Sequence, residues 1–95
     1  MLTIDDFTPH VGTEFIARAG DFEDRLTLVE AVPSRAPARE GTRQGFSLLF
    51  EGIRDDGMIT NMIEIDHPVM GAQLLTPSAL GPGSTGGFRY EVIFN

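Results

Sequence analysis

Apolar and polar positions alternate along much of this chain. Near its end Phe88, Tyr90, Val92 and Phe94 recur at every second residue, the period of a half-buried strand. Leu26 and Leu28 share one face of residues 25–31, a segment rich in strand formers, and residues 14–19 form a second strand that reaches it through a turn at Gly20-Asp21-Phe22-Glu23. Phe46, Leu48 and Phe50 mark a third strand over 46–50. Asp56-Gly57 then predicts a tight turn, with a return strand over 58–65 that places Ile59, Ile63 and Ile65 in phase and Asn61 as a break in the stripe. His67-Pro68-Val69-Met70-Gly71 is a turn by its proline and glycine, and 72–76 is a short fifth strand.

The N-terminus departs from the period of two. Thr3 stands where a helix N-cap belongs and Asp6 three residues on, where a capping box prefers Glu or Gln; Pro9 and Gly12 stop the helix within about two turns. Six short strands and one helical turn predict an all-β fold, a small antiparallel six-stranded barrel or roll, as a single domain over residues 1–95.

Charge and composition narrow the function. Fourteen acidic residues against seven arginines, with no lysine, give a net charge of −7, which opposes general nucleic-acid binding because phosphate contacts need local cations. The absence of cysteine removes disulfide scaffolds, thiolate metal sites and cysteine nucleophiles together. No window approaches the roughly 18 apolar residues of a membrane span, and the start of the chain lacks a basic region followed by an apolar run, so a cytoplasmic protein is expected. The charge is unevenly spread. Residues 33–45 hold Arg35, Arg39 and Arg43 against Glu40, a local +2 that leaves −9 elsewhere. This long aperiodic stretch is expected to be a solvated loop, and its arginines are the candidate partner-binding residues because guanidinium groups recognise carboxylates bidentately.

Candidate chemistry is sparse. Residues 81–86, Gly-Pro-Gly-Ser-Thr-Gly, match the dinucleotide fingerprint in letters alone, since a strand rather than a helix follows and only nine residues remain after Gly86, against the roughly 20 needed to reach a ribose-binding acid. They read as a connection between strands. Glu64, Asp66 and His67 lie close together and His10 is the other imidazole, yet the proline after His67 implies a solvated turn, and no metal is expected. Asp55-Asp56-Gly57 lacks the alternating ligands of a calcium loop. Ser34, Ser47, Ser78 and Ser84 have no nucleophile-elbow context, and the pairs Asp5-Asp6 and Asp55-Asp56 sit where aspartate favours caps and turns. No catalytic residue and no cofactor is assigned.

The stretches 6–12, 37–41, 46–50 and 67–71 and the ending Arg89-Tyr90-Glu91-Val92-Ile93-Phe94-Asn95 together resemble a bacterial family of proteins of about this length that has no assigned activity. Members of that family are often encoded beside proteins bearing a phage-tail-collar domain. The resemblance therefore implies an accessory role in a phage-tail-like gene cluster, with a tail-collar protein as a possible partner, and supplies no site residues. The glycine content of residues 81–87 exceeds the family pattern. The resulting expectation is a non-enzymatic adaptor that holds a protein partner through an exposed strand edge or the Arg35–Arg39–Arg43 loop. Its rival is a small-ligand binder or minor enzyme with a cavity under the 81–87 loop.

Overall fold

A computed structural model of the chain describes residues 2–34, 44–58 and 61–94. A short helix, α1 (Ile4–Phe7), runs into a 3-10 turn (Thr8–His10). The strands follow as β1 (Glu14–Ala19), β2 (Phe22–Pro33), β3 (Phe46–Gly52), β4 (Ile63–His67), β5 (Gly71–Leu75), β6 (Pro77–Pro82) and β7 (Phe88–Phe94). They form one antiparallel sheet in the order β5-β4-β1-β2-β3-β7-β6, curled into a half-barrel around the core. Among the described residues there are thus seven strands rather than the six expected, and the barrel does not close. The strand that sequence reading overlooks is β6. Its end residues Pro77 and Pro82 read as turn formers, but proline is admissible on an edge strand because its missing amide deprives no neighbour.

Local chemistry accounts for most of the elements. The amide of Thr3 donates to Asp6 Oδ2 at 2.7 Å, which fixes the start of α1, and Gly12 ends the helical stretch at φ +90°. Ala19 pairs with Phe22 across a two-residue turn whose first member, Gly20, has φ +59°. Positive φ at that position alone gives a turn whose twist matches the two strands. β2 serves two partners, β1 along its first half and β3 along its second. A bulge between Leu28 and Glu30 shifts the phase, so that Leu26, Leu28 and then Ala31 turn inward while Glu30 stays outside. In β7 Tyr90 and Val92 are buried, Phe88 and Phe94 pack on the core, and Ile93 is exposed, as its alternation predicts. Phe7 of α1 is fully buried against Phe46 and Phe94, which stack 4.4 Å apart, so the helix covers one end of the curled sheet.

The expected hairpin at Asp56-Gly57 does not form. β3 pairs with β2 and β7, whereas β4 pairs with β1 and β5, so after Gly52 the chain crosses to a distant part of the sheet. Gly57 is outside the positive-φ region. It is glycine because a Cβ there would lie 2.5 Å from the ring of Phe88. Buried Asp24 anchors the start of the crossing by accepting the amides of Ile53 at 3.2 Å and Arg54 at 3.2 Å, besides that of Arg25 at 2.8 Å. Further along, the Met58 amide donates to the buried Tyr90 hydroxyl at 2.9 Å. Among the described residues the return strand covers Ile63–His67; Met58, its expected start, is in no strand, and Ile59 lies outside the described residues.

Candidate functional site

Strands β5 and β6 are the two edges of the sheet; both are short and uncharged, and they differ in two features that govern strand addition, proline content and the regularity of the ladder. β6 carries proline at both ends and a register shift between Ala79 and Gly81. Proline and bulges are the usual devices that deter a foreign strand. β5, Gly-Ala-Gln-Leu-Leu, has no proline, no charge and no bulge, and it pairs with β4 in unbroken register from Gly71 opposite His67 to Leu75 opposite Ile63. Leu75 faces the core, while Leu74 is 66% exposed beside Glu64. Val69, 75% exposed, stands at one end of this edge and exposed Met62 at the other.

The ground around β5 is acidic. Glu64 and Asp66 lie opposite Leu74 and Ala72 on the outer face, and Glu64 reaches Arg18 at 3.7 Å, an arginine already held by Glu23 at 2.9 Å. Asp66 makes no ion pair among the described residues. An open backbone row, an exposed leucine and carboxylates behind it suit an extended segment of alternating apolar and basic residues.

His67 positions this edge. Sequence reading places it in a solvated turn; the ring is instead 6% exposed, because His67 continues the inward phase of Ile63 and Ile65. Its Nδ1 accepts the amides of Val69 at 3.0 Å and Met70 at 3.3 Å, which shapes the turn leading into β5. With that lone pair engaged, the ring proton sits on Nε2 and is donated to Thr13 Oγ1 at 3.0 Å, and Thr13 in turn donates to the His10 carbonyl at 2.6 Å. The rings of His10 and Phe15 pack against it, each centred 4.5 Å from His67 and tilted to it. Burial holds the imidazole below its ordinary pKa, and neighbouring His10 adds to the effect. The alternation 63, 65, 67 is the signal that would have revealed the role of this residue.

Other expected sites resolve differently. Arg35, Arg39 and Arg43 lie outside the described residues. His10 and His67 do meet, yet Glu64 points away toward Arg18, and among the described residues no group of three or more His, Asp or Glu is gathered as a metal site would require. The glycine-rich segment does connect two strands, but Gly81 and Pro82 of the expected 81–86 connection belong to β6, and the link to β7 is residues 83–87, closed by hydrogen bonds from the Gly83 amide to the Gly87 carbonyl and from the Gly86 amide to the Gly83 carbonyl. This loop rests directly on the sheet. A Cβ on Gly83 would collide with Arg89 and Glu51, and one on Gly87 with the Gly52 carbonyl. Beneath it Arg89 donates to Glu51 at 2.7 Å and Thr85 adds a second hydrogen bond at 2.7 Å; together these donors hold the Glu51 carboxyl below its ordinary range. The glycines thus serve close packing over an ion pair.

The fold and these surfaces define a small β domain with one protected and one unprotected sheet edge. The chain belongs to the family described as Domain of unknown function (DUF6916), whose model matches residues 2–94. No curated protein and no solved structure matches it. Among the described residues, no helix is long and apolar enough to cross a membrane.

Proposed function

We propose that the protein is a non-enzymatic adaptor that captures an extended segment of a partner protein by pairing it with β5. The observation that carries this reading is the unbroken, uncharged, proline-free edge of Gly71–Leu75, set against a second edge with protective features. Main-chain hydrogen bonds to β5 supply affinity, and alternate side chains of the added strand supply selectivity. An apolar residue beside Leu74, flanked by lysine or arginine within reach of Glu64 and Asp66, is the pattern this surface favours. The resemblance to a family encoded beside tail-collar proteins makes extended segments of such a protein the first natural partners to try.

Selection from a displayed library of random peptides tests the reading. Selected peptides should alternate apolar and basic residues, and their binding should slow amide exchange in Gly71–Leu75. Leu74→Lys should weaken them at least about tenfold, a loss of about 1.4 kcal/mol, while Leu80→Lys on β6 leaves affinity unchanged. Binding that leaves the β5 amides untouched, or that both substitutions weaken equally, rejects β5 as the docking edge.

A further inference from the structure

We infer that protonation of His67 opens the β4–β5 turn and withdraws the β5 edge, so that acid switches docking off. The inference takes β5 as the docking edge and adds its regulation. It stands on geometry. Nδ1 of His67 faces two backbone amides, of Val69 at 3.0 Å and Met70 at 3.3 Å, and a proton on that nitrogen would oppose two N–H groups in a buried site. Nε2 offers no alternative, because its proton is already donated to Thr13. Ring protonation and the closed turn are therefore mutually exclusive.

The surroundings reinforce the conflict. The His10 ring lies tilted against that of His67 from the 3-10 turn and disfavours a charge there, while Asp66, next in chain on β4, acts the other way. Glu14, the first residue of β1, and Arg25 on β2 line the same surface depression of about 620 Å³ and carry opposite charges. The turn itself, Pro68-Val69-Met70, contains no titratable side chain, and β5 contributes none. Burial outweighs Asp66, so the closed turn holds the neutral ring below its ordinary pKa of 6.5.

Opening reaches β5 because, among the described residues, β4 alone pairs with that strand, and the core contact of β5, Leu75, lies at its far end. The turn shaped by His67 ends at Gly71, where β5 begins and φ is +76°. Once the imidazolium leaves its place against His10 and Phe15, the amides of Val69 and Met70 lose their acceptor and β5 frays from that end.

Amide-exchange protection across pH 7 to 5, read by NMR in the full chain together with the His67 ring resonances, tests this. Protection at Val69, Met70 and the β5 amides should fall about 25-fold, the factor by which an open state with an ordinary imidazole pKa of about 6.5 gains over a neutral closed one; β2 and β3 should keep theirs. His67→Asn should abolish the response, since an asparagine carbonyl can accept the same two amides without titrating. Protection of β5 that persists to pH 5, or an acid response retained in His67→Asn, overturns the inference. If the Asn variant does not fold, the wild-type ring decides: a His67 titration at 6.5 or above with β5 unchanged rejects the switch. An acid-loosened β5 to which no selected peptide adds at pH 7 leaves the switch standing and removes the docking reading. Equal peptide pairing with β5 at pH 7 and 5 does the reverse.

Discussion

β6 and β5 close the two ends of one sheet and are secured by unlike means. Beyond β6, the 83–87 loop is locked onto Glu51, Gly52 and Arg89, with Thr85 completing the ion pair, and the strand itself is broken by a bulge and bounded by prolines. β5 has a plain five-residue ladder to β4 and a turn shaped by one neutral imidazole. The difference teaches that an edge can be kept from foreign strands by its own sequence, or kept in place by a group that a change of pH can remove. The first arrangement is permanent, and the second is conditional.

The largest expected effect tests whether both edges depend on one common core. Asp24→Ala leaves the amides of Arg25, Ile53 and Arg54 without their carboxylate acceptor in a largely buried position and should cost about 3 kcal/mol, measured by urea unfolding. Both edges should lose exchange protection together; loss confined to one would show that the core is divided. Smaller substitutions should separate the edges. Thr13→Val removes the acceptor of the His67 Nε2 proton and should cost about 1 kcal/mol with loosening at Val69, Met70 and β5, whereas Thr85→Val should loosen residues 83–88 alone at a lower cost.

Acid should reveal the edges one after the other. His67 is held below its ordinary 6.5, so its contribution to stability is complete above that pH and is lost as pH falls beneath it. Glu51 is held below its ordinary 4.5 by Arg89 and Thr85, so its contribution survives until pH drops under about that value and disappears lower still. Exchange along a pH series should therefore loosen β5 first and the 83–87 loop later; the reverse order would break the comparison. The smallest effects are those of Leu74→Lys and Leu80→Lys on folding. Both side chains are exposed, at 66% and 53%, and each change should shift unfolding by less than about 0.5 kcal/mol by thermal melting.

What was legible in the sequence was local. The alternation in 88–94, the Thr3–Asp6 cap, the turn after Ala19 and the strand connection at 83–87 each follow from neighbouring residues, and each is present. Pairing between distant strands was not legible. Asp56-Gly57 has the composition of a hairpin turn, yet Phe88 packs on Gly57 and Tyr90 holds the Met58 amide, each from more than thirty residues on in sequence, and no hairpin forms there. Pro77 and Pro82 concealed β6 because a proline's tolerance depends on whether its strand lies at an edge, a property of the assembled sheet. Pro68 drew attention away from the phase that carries His67 inward. The candidate edge could be named only as a kind of surface, since the sequence does not say which strands are outermost.

β5 and β6 are separated in sequence by Thr76 alone, although they stand at opposite ends of the strand order. In mechanical terms the sheet is a split ring whose gap is spanned at one point by a single residue. No ladder between β5 and β6 crosses that gap. A nick at Thr76 would sever the span and leave every ladder intact, with β5 still on β4 and the β6–β7 hairpin still on β3. The covalent chain bridges the gap, and hydrogen bonds hold the ring.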